Sequence, residues 1–322
     1  MSAMIVIIIF VLISIFISFA IGANDETFST VYGSRTLNMK EILIVTTVLA
    51  LLGAFILGRG VSETVGEGLL LFDFSNAIVL TILISTAIWL IISSALGAPI
   101  STTHSTIGAI IGVGILREGL FGVNWFSILE MSIWWLLSPV IGYVMTYVVY
   151  KLLHKTVISK LNGFKDFERA EKIFSYILLG VICLTAFSRA GNDCANAVGI
   201  VLGVGIEINI LLIIVGANFA LGIIVLGRRV IKSVGEITEL VPSSAFASQV
   251  PTAIILFVGT FLGIPLSGSQ MLVASLLGLA KARRAPTKKG VGKIALIWIL
   301  TFPMAAIFAV LLYFPISLIP FF

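Results

Sequence analysis

Residues 97–112 read GAPISTTHSTIGAIIG, and residues 263–278 repeat the pattern as GIPLSGSQMLVASLLG. In both stretches a proline interrupts an apolar segment, and a run of Ser, Thr or Gly opens the short apolar segment that follows. A second pattern recurs in the same order, as GAND at residues 22–25 and AGND at residues 190–193. Repeated blocks in a fixed order indicate that the chain is an internal duplication.

A third pair of blocks sets the limits of the repeat. LGAFILGRGVSETVGEG at residues 52–68 matches LGIIVLGRRVIKSVGEI at residues 221–237, and the three offsets lie between 166 and 169 residues. We therefore predict a first repeat over residues 1–150 and a second over residues 173–322. Residues 151–172 between them contain six Lys and Arg residues and are predicted to form a basic cytoplasmic connector.

The composition places the chain in a membrane. Of its 322 residues, 59% are hydrophobic and only 11% are charged, and the mean hydropathy is +1.17. A soluble domain of this length needs more surface charge, and a cleaved signal peptide accounts for only one apolar run. We predict an all-α polytopic membrane protein, because helices satisfy their own backbone hydrogen bonds in lipid. Runs long enough to cross ~30 Å of hydrocarbon lie at residues 5–21, 42–57, 77–96, 211–226 and 294–312.

The distribution of positive charge predicts the topology. The net charge is +5, but the basic residues lie in short segments between apolar runs, which indicates membrane orientation rather than nucleic-acid binding. With both termini outside the cell, all 20 Lys and Arg residues lie on the cytoplasmic side except Arg59, Arg117 and Arg189. The prediction is a multi-pass protein of the cell (inner) membrane, surrounded by lipid.

In this topology the first repeat starts outside and the second starts inside, so the two repeats are inverted. Each contains a re-entrant hairpin that ends in a half-helix, at residues 76–96 and 103–116 and at residues 244–262 and 268–280. The helices that carry the GAND and AGND motifs are predicted to be broken there. Inverted repeats with broken helices are a recurring plan of secondary transporters, which bind substrate near the bilayer midplane.

The GAND-type motifs are the candidate cation site. A carboxylate near the membrane centre costs at least ~2.5–3.5 kcal/mol, and its duplication argues against accident. Carboxylate and amide oxygens, with backbone carbonyls exposed where a helix breaks, are suitable ligands for Na⁺. The alternative is structural, because the same polar side chains can hold helices together. The predicted Na⁺ ligands are Asn24, Asp25, Asn192, Asp193 and Asn196.

The starts of the two half-helices are the candidate anion site. A helix N-terminus gathers unpaired N–H groups at the positive end of the helix dipole, and two such ends converging from opposite sides suit a tetrahedral oxyanion. The alternative is that these residues only cap the helices. The predicted residues of this oxyanion site are Ser101, Thr102, Thr103, His104, Ser105, Ser267, Gly268, Ser269 and Gln270, together with Asn24 and Asn192.

Placing the two sites side by side predicts ion coupling. At an effective dielectric constant near ~20, two like charges ~4 Å apart repel by about 4 kcal/mol, so the buried carboxylates oppose anion binding. Cations bound between carboxylate and anion reverse the sign of that interaction. The anion then binds well only when the cations are present.

Two residues near these motifs have more than one possible role. Arg189 can attract the anion, neutralise Asp193 or serve only as a structural ion pair. His104 can donate to the bound anion or carry a proton, although Gln270 replaces it in the second half and a packing role is equally open. Ser101 beside His104 has the residue types of a hydrolase, but no acidic group that could orient the histidine is near in sequence. We therefore predict that the chain is not an enzyme.

These segments resemble the inorganic phosphate transporter (PiT) family, of the sodium-dependent symporter type. The resemblance rests on GANDETFSTVYGSRTL, GAPISTTHSTIGAIIGVGI, FSRAGNDCANAVG and GIPLSGSQMLVASLLGLAKARR, and it recurs in both halves. It implies about twelve membrane segments, outside termini and cation-driven uptake of inorganic phosphate, with Na⁺ as the coupling ion and no other cofactor. One departure is Phe28, where the family often carries a further Asn, so any role of that Asn is lost or moved here.

Rival functions stay open beside this resemblance. They are proton-coupled phosphate transport, transport of sulfate or another tetrahedral oxyanion and, from a different class, an anion channel. The long apolar helices outside the repeated motifs are a candidate surface for a homodimer.

Overall fold

The computed structural model describes residues 2–95, 100–202, 206–287 and 291–319, and almost all of these residues are helical. The first half contains α1 (Ser2–Ala23), α2 (Ser29–Gly33), α3 (Met39–Glu67), α4 (Asn76–Ala95), α5 (Thr102–Glu118) and α6 (Trp125–Thr156). The second half contains α7 (Phe164–Gly199), α8 (Ile208–Gly222), α9 (Arg228–Gly235), α10 (Pro242–Phe261), α11 (Gly268–Arg283) and α12 (Val291–Ser317). A π-helical turn, Ile223–Gly227, joins α8 to α9.

The predicted membrane class is confirmed. Nine helical segments in the described ranges are long and apolar enough to cross a bilayer. The remaining helices include α2, with 5 residues, and α11, with 16, which is shorter than a complete crossing requires. Large apolar side chains such as Ile44 and Ile299 are 69% and 72% exposed, and a face of this kind needs lipid around it.

Both predicted helix pairs occur, and their re-entrant course in the membrane stays a prediction. Helix α4 is followed by the shorter α5, and α10 by the shorter α11, within a few residues of the predicted limits. The first connection includes residues 96–99, and the predicted interruption at Pro99 therefore lies outside the described residues. In the second connection Gly263 has a φ of +72°, a backbone conformation that favours glycine.

The two motif-bearing helices differ from one another. Helix α1 ends at Ala23 and α2 begins at Ser29, so the predicted break at Asp25 occurs. Helix α7 instead runs unbroken from Phe164 to Gly199, and the predicted break in the second half is wrong. The reason is packing: a Cβ at Gly191 would lie 2.8 Å from a backbone oxygen of α3, so this glycine permits close helix contact rather than an opening of the backbone.

Helices of the two halves pack across one another. Helix α3 of the first half lies along α7 of the second, and α8 of the second half lies along α1 of the first. The crossings are close because Gly53 faces the carbonyl of Phe187 and Gly222 faces the carbonyl of Phe19, with no room for a Cβ at either glycine. Helices α5 and α12, and α11 and α6, pair across the halves in the same way. The halves are therefore interlocked.

The segment predicted to be a basic connector is mostly helical. Helix α6 continues to Thr156 and α7 begins at Phe164, so most of residues 151–172 extends these two helices. A single 3₁₀ turn, Ile158–Lys160, lies between them. The connection itself is thus only a few residues long.

Candidate functional site

The two half-helices begin next to one another, each with a serine cap. The Ser101 hydroxyl accepts a hydrogen bond from His104 N at 3.1 Å, and the Ser267 hydroxyl accepts one from Gln270 N at 3.4 Å. This is the capping geometry that satisfies N–H groups in the first turn of a helix. The capping alternative for these two serines is therefore realised, and their hydroxyl protons remain able to donate.

Each half-helix also donates to the chain that leads into the other. The Thr103 hydroxyl donates to the Leu266 carbonyl at 2.9 Å, and the Ser269 hydroxyl donates to the Ile100 carbonyl at 3.1 Å. The donors hold equivalent positions in the two repeats, and so do the acceptors. The starts of α5 and α11 are thereby held together by a reciprocal pair of bonds.

The motif asparagines hold the segments that lead into these helices. Asn24 Oδ1 accepts from Ile100 N at 3.0 Å, and Asn192 Oδ1 accepts from Leu266 N at 3.1 Å. Asn192 Nδ2 also donates to the Ile264 carbonyl at 2.9 Å. The predicted roles of both asparagines as ligands stay predictions, whereas their role in positioning the half-helices is observed.

A buried charge cluster lies beside the half-helices, and Arg189 is at its centre. Its guanidinium lies 3.0 Å from Asp193 Oδ2, 2.6 Å from Glu26 Oε1 and 3.8 Å from Asp25 Oδ1. All four side chains are at most 5% exposed. Three carboxylates against one guanidinium leave an excess of negative charge, which is costly in a membrane interior.

The remaining contacts of the motif residues tie this cluster to α5. The Thr102 hydroxyl donates to Asp193 Oδ1 at 3.0 Å, and Asp25 Oδ1 accepts from Thr27 N at 2.5 Å within the break after α1. Asn196 Nδ2 donates to the Thr103 hydroxyl at 3.3 Å. Residues from both predicted sites therefore share one network.

Three other predicted residues contact their own helix or the helices beside it. The Ser105 hydroxyl donates to the Ser101 carbonyl at 3.0 Å, one turn back along α5. The His104 ring meets the Trp135 ring edge-on at 4.5 Å, which fits the packing role that was left open for it. Gly268 lies beneath the Arg189 guanidinium, and a Cβ there would come within 3.0 Å of Cζ.

Unpaired oxygen atoms give a test of whether the cluster suits a cation. Asn196 Oδ1 and Glu26 Oε2 are buried and accept no hydrogen bond from any described residue. Buried acceptors without a donor are unfavourable, and a hard cation such as Na⁺ is one partner that relieves the cost. In the described ranges no three His, Cys, Asp or Glu side chains are arranged to hold a metal ion alone. A cation here would therefore also need amide, hydroxyl or carbonyl oxygens.

Cavities lie towards both ends of α3, on either side of this network. One of about 620 Å³ is lined by Met39, at the start of α3, and by Tyr32, Gly33, Arg35 and Glu239. Another of about 680 Å³ is lined by Gly66, near the end of α3, and by Asp73, Gly199 and Leu202. A helix rises ~1.5 Å per residue, so the 29 residues of α3 span roughly 43 Å. The two cavities thus open near opposite ends of the molecule.

Residues 21–309 match the model of the phosphate transporter family. The chain belongs to this family. Among its relatives is a Thermococcus kodakarensis protein with the name "Putative phosphate permease", 29% identical over 94% of this chain and 96% of that protein. The chloroplastic inorganic phosphate transporter 2-1 of Arabidopsis thaliana is 24% identical over 93% of this chain and 70% of its own length.

A solved structure resembles this phosphate transporter family member over nearly its whole length. It is described as the sodium-dependent phosphate transporter, with a TM-score of 0.91 and 25% identity. The alignment covers 98% of this chain and 100% of the other. The all-helical membrane fold and the predicted family are therefore both confirmed.

Glu26 is the residue of this transporter's charge cluster that sequence reasoning missed. It follows Asp25 directly, but its counterpart in the second repeat is Cys194, so the repeat pattern does not mark it. Arg189 likewise aligns with an apolar residue, Ile21, in the first repeat. One unmatched acid and one unmatched base, each beside a GAND-type motif, are the signal that could have paired them.

Proposed function

We propose that this chain is a secondary active transporter that couples inward movement of Na⁺ to uptake of inorganic phosphate across the cell (inner) membrane. The family supports phosphate as substrate, and the name of the solved neighbour supports sodium as the coupling ion. One observation carries the proposal: Asp25 and Asp193, from the two halves, lie with Arg189 in a buried cluster beside the starts of both half-helices.

Phosphate binds, in this proposal, between the N-termini of α5 and α11. The first turns supply backbone N–H groups and the positive ends of two helix dipoles. The hydroxyls of Thr103 and Ser269 now donate to carbonyls of the opposite half, and they exchange these bonds for bonds to phosphate oxygens. Each hydroxyl gains a charged acceptor, which offsets the loss of its bond to a neutral carbonyl.

Sodium ions bind, in the same proposal, to the oxygens of Asn24, Asp25, Asn192, Asp193 and Asn196. The unpaired Oδ1 of Asn196 lies on the residue that contacts Thr103, so an ion there sits close to the phosphate site. Because carboxylates and phosphate repel one another at short range, phosphate binds well only after the cations have arrived. Coupling then follows from local electrostatics.

Inverted repeats give such a site two equivalent exits. We propose that the termini face outward, that the basic connector faces the cytoplasm and that the two cavities beyond the ends of α3 are alternate routes to the site. The close, reciprocal contacts between the half-helices are the ones that rearrange when access switches.

The decisive experiment uses purified protein in proteoliposomes. Uptake of labelled phosphate is measured with an inward Na⁺ gradient, with K⁺ in its place, and with an imposed proton gradient in each case. Uptake that requires the Na⁺ gradient supports the proposal, whereas uptake that follows only the proton gradient transfers the coupling to protons. Sulfate that lowers phosphate uptake by about half when both are present at the same concentration points to a general oxyanion transporter, and single-channel currents without a cation gradient point to a channel.

A further inference from the structure

We infer that Arg189 is a tethered cation that takes the place of one sodium ion among the carboxylates of the two halves, and so reduces by one the number of ions the site takes up. The inference rests on the proposed sodium coupling. The sequence repeat does not account for this arginine, because Ile21 occupies its position in the first half.

The guanidinium directs most of its described hydrogen bonds at carboxylates of the cluster. Its Nε donates to Asp193, its Nη1 to Glu26 and its Nη2 to the Ser269 hydroxyl at 2.9 Å. Two of its three nitrogens are therefore directed at carboxylates, and only Nη2 is directed at the start of α11. An arginine that served as a phosphate ligand would instead direct two N–H groups together at the phosphate-binding region.

The position is one that a mobile ion would otherwise fill. Arg189 is 4% exposed and lies between carboxylates contributed by residues on either side of the halves' interface. Bringing Glu26 and Asp193 this close without a positive charge between them is strongly unfavourable in a buried setting. Because a guanidinium stays protonated in proteins, its charge cannot leave during the transport cycle.

The neighbouring helix start does not explain why Arg189 is there. Its guanidinium lies over Gly268, at the N-terminus of α11, and the dipole of that helix repels a cation. The acids therefore hold the arginine in place against the helix dipole. It also lies between those acids and the proposed phosphate site, which is where the coupling ions are proposed to act.

The charge balance gives a quantitative expectation. Removing the arginine charge leaves all three carboxylates uncompensated, and one further sodium ion is needed to restore the same balance. Removing a carboxylate charge has the opposite effect. Removing both together returns the site to its original net charge and to its original number of ions.

The test counts bound ions by linkage rather than by transport. Thermal stability of the detergent-solubilised protein is measured while NaCl replaces choline chloride at constant ionic strength. The slope of the unfolding free energy against the logarithm of Na⁺ concentration, near saturation, reports the number of ions bound to the folded state. The variants are Arg189→Gln, Glu26→Gln and the double variant. Arg59→Gln is the matched control, because Arg59 pairs with Glu63 on the exposed part of α3.

The expected slopes differ by whole ions. Arg189→Gln raises the slope by about one ion, Glu26→Gln lowers it by about one, and the double variant and Arg59→Gln match the original protein. If Arg189→Gln fails to fold, Glu26→Gln and the double variant carry the same comparison. An unchanged slope in the single variants, with phosphate affinity lost in Arg189→Gln, overturns the inference and makes Arg189 a phosphate ligand.

The same experiment separates this inference from the proposed function. A clear sodium slope in the original protein that no variant changes removes the role of Arg189 and leaves sodium coupling intact. A zero slope in the original protein, together with uptake that ignores the Na⁺ gradient, removes both.

Discussion

His104 Nδ1 lies 3.2 Å from Gln270 Nε2, and the two residues occupy equivalent positions in the two halves of the chain. Contact between a residue and its own counterpart occurs only near the axis that relates two repeats. Thr103 and Ser269, which form the reciprocal bonds between the half-helices, immediately precede His104 and Gln270. The starts of α5 and α11 are therefore related to one another as an internal two-fold requires, and the inverted orientation of the halves in the membrane stays a prediction.

Asp25 provides the most direct test of the cation site. Asp25→Asn removes a buried negative charge next to Arg189 but preserves the size of the side chain and its acceptor for Thr27 N. We expect sodium-stimulated phosphate uptake in proteoliposomes to fall at least about tenfold, because one ion loses a charged ligand. The protein should still fold and insert in the membrane.

Asp166→Asn is the matched control for this variant. Asp166 is exposed, and its carboxylate accepts only the backbone N–H of Asn162 in the described contacts. Its removal should leave uptake unchanged. Normal sodium-stimulated uptake in Asp25→Asn would contradict the assignment of the GAND motif to the cation site.

A substitution of Thr102 tests the proposed connection between the ion site and the phosphate site. Thr102→Val keeps the shape of the side chain and removes the hydroxyl that donates to Asp193 at 3.0 Å. In the proposed site this hydroxyl donates to phosphate, and a hydrogen bond to a charged group contributes ~1.5–3 kcal/mol, so phosphate affinity measured by titration calorimetry in saturating Na⁺ should fall about tenfold or more. Thr47→Val in α3, whose hydroxyl donates only to its own helix at Leu43, should bind as the original protein does. Equal affinities in the two variants would separate Thr102 from the site.

Local sequence predicted the half-helices well because their limits are encoded by neighbouring residues. Ser101 and Ser267 cap helices that begin one residue later, and this signal is readable without any knowledge of the fold. The break after α1 was predicted and the continuity of α7 was not, since Gly191 serves packing against α3, which only the assembled structure reveals. The pairing of Glu26 with Arg189 joins residues 163 positions apart, beyond the reach of local patterns.

The close crossing of α3 and α7 predicts that substitutions of two glycines differ strongly in their effect on stability. Gly53→Ala places a methyl group against the backbone of α7, whereas Gly180→Ala places one in open space on α7 itself. Overpacking of a tight contact costs ~1–3 kcal/mol, so Gly53→Ala should lower the thermal unfolding temperature in detergent by several degrees. Gly180→Ala should leave it unchanged or raise it slightly, because alanine favours the helix. Equal stability of both variants would contradict the close crossing of α3 and α7.

Glu171 holds the first turn of α10 close to the basic connector. Its two carboxylate oxygens accept from Ser243 N at 2.8 Å and from the Ser243 hydroxyl at 2.6 Å, at the first turn of α10. Glu171 lies on α7 and is 8% exposed, so the pair joins two helices and caps one of them. Glu171→Ala leaves both donors without a partner and should cost ~1.5–3 kcal/mol of stability.

The neighbouring Glu168 supplies the control for Glu171, because it is exposed on the same helix. Glu168→Ala should change the unfolding temperature little, whereas Glu171→Ala should lower it and should also increase hydrogen exchange at the start of α10. Loosening the first turn of α10 should lower phosphate affinity only weakly, because α10 can affect the phosphate site only through the position of α11, which follows it. A loss of exchange protection confined to α7 would show that the Glu171 carboxylate stabilises its own helix rather than the start of α10.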